Sequence, residues 1–187
     1  MTIYEPELVE VDGDVMEMLE ARGLGDGLPV VTPTPERVEA MLEHSSGPAD
    51  EVLFTLQPRA GIVTRRVVAI NAVLAGCRPA TFPVVLTALR ALANPAVNLR
   101  GVNATTHLVA PIILIHGEIA RTASFNSREA CFRPGNRANA TVGRAQRLEL
   151  MHLAGATPGL GDAATHVHPP KYAFCAAENL DQSPRES

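Results

Sequence analysis

Residues 137–154 carry the most regular apolar spacing in this chain, and that stretch limits what the rest of it can become. Ala138, Val142, Ala145, Leu148 and Met151 recur at helical intervals, with Arg137, Arg144 and Arg147 off the stripe. The pattern predicts the longest helix of the chain, entered through Pro134-Gly135-Asn136 and stopped at Gly155. A helix with one apolar face must bury that face against another element. Two further helices follow the same logic. Over 65–76, Val68, Ala72 and Ala75 share a face, and Gly76 is a natural C-terminal stop. The next starts with Thr81 as its cap, runs through Val84, Val85, Ala88, Leu89 and Leu92, and ends at Asn94-Pro95. Small side chains on these faces imply close helix packing.

Strand signals are interleaved with the helices. The run Leu108–His116 is apolar throughout, as a strand buried on both faces would be. Lys171-Tyr172-Ala173-Phe174-Cys175 reads as a last strand, and Val52-Leu53-Phe54 is a short apolar piece. A helix begins after Thr34, with Pro35 at its first position, and turns Val38, Met41 and Leu42 inward. Gly23-Leu24-Gly25-Asp26-Gly27-Leu28-Pro29 fits neither dinucleotide nor P-loop spacing and reads as a turn into Val30-Val31. Alternating helices and strands predict an α/β fold, a mixed sheet with packed helices. At 187 residues, one domain is expected. It spans 23–179, preceded by an acidic N-terminal arm with one amphipathic helix (1–22) and followed by a polar tail (180–187).

Charge is divided unevenly. Residues 1–51 hold 13 acidic and 2 basic side chains, net −11; residues 52–187 hold 7 acidic and 14 basic, net +7. Of the 16 basic residues all but Lys171 are arginine, whose planar fork suits carboxylates and phosphates. A positive body wants an anionic partner: its own acidic segment, or a small anionic molecule. Nucleic acid is disfavoured by the net charge of −4, the scarcity of aromatics and the lack of a lysine-rich stripe. No apolar run reaches the length of about 18 residues that a membrane span requires, and the acidic start lacks a signal peptide's order. Three cysteines at irregular spacing form no disulfide framework. A cytoplasmic protein with reduced thiols is expected.

Chemistry has several candidate seats. Pro134-Gly135-Asn136-Arg137 opens a helix whose free amide groups and positive dipole end suit an anion, or it is an ordinary asparagine cap. Cys77, Cys131 and Cys175 sit at element boundaries. They are structural thiols, a single reactive thiol, or ligands of an iron–sulfur cluster or of zinc with His107 or His166. No two of them form the C-x-x-C pair common in such sites. His107 enters the apolar run from a polar turn, where an imidazole can act as general base or ligand. Lys171, beside Tyr172 and Phe174, is either a lysine of lowered pKa or a solvated one. His166 and His168 are two apart, one strand face for a metal.

Several strings together resemble an uncharacterised bacterial family associated with UGSC-type thiol or selenol proteins. They include Gly25-Asp26-Gly27-Leu28-Pro29-Val30-Val31, Ala75-Gly76-Cys77-Arg78-Pro79, Ala104-Thr105-Thr106-His107, Pro134-Gly135-Asn136-Arg137-Ala138-Asn139 and Lys171-Tyr172-Ala173-Phe174-Cys175. Asn98-Leu99-Arg100-Gly101-Val102 and Glu178 continue the match, which covers residues 23–184. His166-Val167-His168-Pro169 and Cys131 depart from the pattern. Family members continue into a second half, so the resemblance implies a split version whose remainder is a separate subunit. The expected function is then a subunit of a heteromeric enzyme with lyase or hydratase-like chemistry. Cys77, His107, Lys171 and Cys175 would serve as catalytic groups, and Asn136, Arg137, Asn139 and Arg144 would bind the anionic substrate. An iron–sulfur cluster or divalent metal stays open as cofactor. The alternative is a non-catalytic subunit that stabilises a partner carrying the active site.

Overall fold

The structure, a computed structural model, describes residues 8–183. Its helices are α1 (Val15–Ala21), α2 (Pro35–Leu42), α3 (Arg65–Ala75), α4 (Phe82–Leu92), α5 (Leu99–Ala104), α6 (Ile119–Thr122) and α7 (Arg137–His152). Its strands are β1 (Val52–Leu56), β2 (Gly61–Thr64), β3 (Ile113–Ile115) and β4 (Cys175–Ala177). Three 3-10 turns, Pro79–Thr81, Pro95–Val97 and Pro169–Lys171, each open on proline, whose fixed φ suits a first helical position.

The expected long helix forms, and its stripe is buried at every position. Asn136 caps it by accepting from the Asn139 backbone N–H at 2.9 Å. α3 packs along α7, and α2 and α4 pack on α3. Ala69, Ala72, Ala75, Ala138 and Ala145 occupy buried positions on α3 and α7, so the two backbones come close. Phe82, Leu89 and Leu148 fill the space around them; burying each is worth ~1.5–3 kcal/mol. α3 starts at Thr64, whose hydroxyl accepts from the Val67 N–H, and stops at Gly76 with φ +87°, a conformation glycine adopts without strain.

The strands form two ribbons rather than one sheet. β1 and β2 make an antiparallel hairpin, and β3 runs parallel to β4. The apolar run of residues 108–116 pairs only at Ile113–Ile115. Pro111 has no N–H to give a ladder and restricts the residue before it. Nor is the run buried on both faces. Ile113 and Ile115 are inside, whereas Leu108, Val109, Ile112 and Leu114 are exposed. The last strand starts at Cys175 instead of Lys171, because Pro169-Pro170 winds Lys171 into a turn. Val30-Val31 forms no strand; the Val31 N–H instead donates to the carbonyl of Leu74 on α3 at 3.2 Å.

The amphipathic helix expected within 1–22 is α1, and its Leu19 is buried in the core. The remainder of the arm at 1–7 and the tail beyond 183 lie outside the described residues. Among the described residues, four acidic side chains from the N-terminal segment pair with arginines of the body. Asp26 meets Arg144, Glu39 and Asp50 meet Arg66, and Glu51 meets Arg65. The opposite charges of the two segments are thus partly satisfied within the chain. Among the described residues no single helix is long and apolar enough to cross a membrane. The bent pair formed by Pro79–Leu92 and Pro95–Ala104 passes such a test by length and composition, but Phe82, Val85, Leu89 and Leu99 face the core.

Candidate functional site

Two adjoining hollows open beside α7. The larger is a cleft of about 460 Å³ between the Gly23–Asp26 loop, α7 and the 157–172 segment; its polar walls are Asp26, Arg147, Asp162 and Lys171. The smaller is a niche of about 20 Å³ walled by Asn103, Gln146, Arg147, Leu150, Lys171 and Phe174, among others. Arg147 and Lys171 belong to both walls, so they stand between niche and cleft.

Local folding explains each placement. Gly143, Gln146, Arg147 and Leu150 follow at i, i+3, i+4 and i+7 on one face of α7. Gly143 lets the chain entering β4 cross that face, since a Cβ there would lie 2.6 Å from the Phe174 nitrogen. Asp162 closes a tight turn in which its own N–H donates to the Thr157 carbonyl at 3.0 Å. Lys171 ends the double-proline turn.

The charges are buried and close. Lys171 Nζ donates to Asp162 Oδ1 at 2.7 Å, and Arg147 Nη1 lies 3.1 Å from Asp162 Oδ2. These side chains are 10%, 11% and 5% exposed for Lys171, Arg147 and Asp162. Burial lowers the Arg147 pKa, against the opposing pull of Asp162, though an arginine stays charged. One carboxylate serves two cations, leaving one surplus positive charge. A second pair adjoins it: Arg144 grips Asp26 through Nε at 2.8 Å and Nη2 at 2.7 Å. Arg144 also donates to the carbonyls of Leu28 and Pro29. His152 joins the same region, with Nδ1 2.7 Å from Asn71 Oδ1 and Nε2 3.0 Å from the Leu24 carbonyl; burial lowers its pKa.

Of the expected site residues, Lys171 lies in the cleft wall, and Arg144 adjoins it through Asp26. The others line neither hollow, although Cys77 lies close enough to both Cys175 and Arg137 to interact with them electrostatically. Asn136 caps α7 and donates from Nδ2 to the Ser124 carbonyl. Asn139 is buried and holds the 126–131 loop through Asn126 and Cys131. Arg137 Nε donates to the Gly76 carbonyl at 2.9 Å, capping the end of α3. Cys77 and Cys175 are buried among core side chains. Burial pushes the Cys77 thiol up to about 11 and the Cys175 thiol up to about 12, so both stay neutral and weakly nucleophilic near pH 7. His107 is exposed on its turn and lines neither hollow. Among the described residues, no three His, Cys, Asp or Glu side chains cluster as a metal ion would need.

The sequence pattern missed Asn103, Gln146 and Asp162. Arg147 was visible as an arginine beside the apolar stripe, but nothing nearby in sequence indicated its partner. Comparison with protein-family models, with curated proteins and with solved structures finds no match for this chain.

Proposed function

We propose that this chain is a subunit of a cytoplasmic enzyme that binds a small anionic substrate in the cleft beside Arg147 and Lys171. The supporting observation is the shared carboxylate. Asp162 neutralises only one of two buried cations, and both keep N–H groups beyond those it accepts. Partial desolvation strengthens what those donors give an incoming carboxylate. Lys171, oriented by Asp162, is the group placed to pass a proton to or from a bound substrate in a lyase or hydratase-like step. Cys77, Cys175 and His107 stand away from the cleft and are left out of that step. Lys171→Met leaves Arg147 to neutralise Asp162, so the fold is expected to survive. Titration with small carboxylates followed by calorimetry should give saturable binding to the natural chain, weakened at least about tenfold in the variant, the loss of one charge-assisted bond. Equal binding by both proteins would remove this reading.

A second reading, a non-catalytic subunit that stabilises a partner chain, has its own support. An apolar groove of about 800 Å³ runs between α4 and β3, with Val84, Ala88, Ile112 and Leu114 in its walls. Leu114 is 54% exposed, and among the described residues β3 pairs on one side only. An uncovered apolar face next to an open strand edge is a usual mark of an interface. Co-expression with its genomic neighbour should then yield a stable complex that Leu114→Arg disrupts. A soluble, monodisperse monomer with no capture of that neighbour counts against it.

A further inference from the structure

We propose that the cleft takes an amphipathic anion: a charged head beside Arg147 and Lys171, and an aliphatic or aromatic body laid against Pro158, Val167 and Tyr172. This rests on the anionic-ligand reading above and names the ligand's class. Tyr172 follows Lys171 directly, and its backbone N–H donates to the Pro169 carbonyl at 2.9 Å, so one double-proline turn carries both a cation and a ring into the cleft wall. Val167 enters that turn from the other end, and Pro158 lies in the tight turn that Asp162 closes. Apolar side chains exposed singly are ordinary on a protein surface. Here Val167 is 45% and Tyr172 53% exposed, Pro158 is exposed as well, and all three line the hollow that holds the two cations.

Size points the same way. Small-molecule sites span about 300–1,000 Å³, are walled mostly by apolar and aromatic groups, and hold a few polar ones that orient the ligand. The cleft, at about 460 Å³, falls in that range. A water occupies about 30 Å³ in the liquid, so a bare anion would fill a small part of the hollow and leave its apolar walls wet. A ligand with an apolar body displaces that water, which is worth about fourfold in affinity per fully buried methylene. Asp26, also in the wall, does not oppose the head, because Arg144 meets its charge. The head is defined by its negative charge, and a carboxylate and a phosphate both answer to it.

The test is an NMR titration of the isotope-labelled whole chain at matched ionic strength. Sodium acetate and sodium hexanoate form one pair of probes, inorganic phosphate and hexyl phosphate a second, and hexanol is the uncharged control. Hexanoate is expected to shift the Val167 methyl and Tyr172 ring resonances saturably and to bind at least about tenfold tighter than acetate. Hexyl phosphate should gain as much over inorganic phosphate, and hexanol should bind at least about tenfold more weakly than hexanoate. Tyr172→Ser, at an exposed position, should cut the advantage of hexanoate over acetate at least about threefold, and Val167→Ser should act in the same direction. If hexanoate binds no tighter than acetate, the inference falls. It also falls if the hexanoate shifts lie on Val84 and Leu114 in the other groove and not on Val167 and Tyr172, or if both variants keep the full advantage. In each of these cases weaker acetate binding by Lys171→Met keeps the broader reading standing. If hexanol binds as tightly as hexanoate, or if no probe shifts a cleft resonance, both fall.

Discussion

Replacing Asp26 by alanine is expected to lower the unfolding free energy by about 3–5 kcal/mol, the usual cost of stripping one partner from a buried ion pair. The Asp26 side chain is 4% exposed and that of Arg144 13%, so solvent screens the pair little. Two hydrogen bonds join them, and the same guanidinium holds the Leu28 and Pro29 carbonyls. Without the carboxylate, a buried guanidinium would keep only neutral acceptors, and the loop that forms one wall of the cleft would lose its anchor. Urea unfolding measures the change; a loss below about 1 kcal/mol would mean the pair behaves as a surface contact. Acidification should mimic the substitution. Burial raises the Asp26 pKa, but the hydrogen bonds and charge of Arg144 outweigh it and hold the carboxyl below its ordinary value. Its contribution is therefore present above the unfolded carboxyl pKa and is lost as pH falls through the depressed folded value.

Glu149→Met is expected to act in the opposite direction, raising stability at neutral pH by about 1–3 kcal/mol. Glu149 continues the buried stripe of α7, is fully enclosed, and among the described residues neither carboxylate oxygen has a hydrogen-bond partner. Methionine has a similar shape and leaves no polar atom to desolvate. Burial holds the Glu149 carboxyl well above its ordinary pKa. In the natural chain, then, stability is fullest below the unfolded carboxyl pKa and declines as pH rises toward the folded one. Urea midpoints at about pH 4 and about pH 8 should diverge for the natural chain and draw together in the variant. An unchanged pH slope would show that the natural carboxyl does not titrate in that interior.

The helices were legible from periodicity more than from their ends: the stripe from Ala138 to Met151 is the buried one, Asn136 does cap and Gly76 does stop, but the expected caps Thr34 and Thr81 accept no helix-start N–H, Thr81 Oγ1 donating to the Arg78 carbonyl instead. The strands were less so. Three-residue strands carry no period, and β2 is only four residues long. The uneven charge forecast internal pairing without saying who pairs, since Asp26 and Arg144 are 118 positions apart. The cleft was mostly hidden for the same reason. Asn103, Arg147, Asp162 and Lys171 each have an ordinary local setting and become a site only when α5, α7 and the double-proline turn converge. The arginines and asparagines that looked available at the start of α7 are spent on holding its neighbours, a role that local sequence cannot distinguish from waiting for a ligand.

Among the described residues, no strand pairs with the side of β3 away from β4, around the exposed Leu114. Such a rim matches any extended polypeptide, including its own counterpart on another molecule. Copies of this chain meeting there can pair over three residues at most, the short kind of edge that limits spreading aggregation.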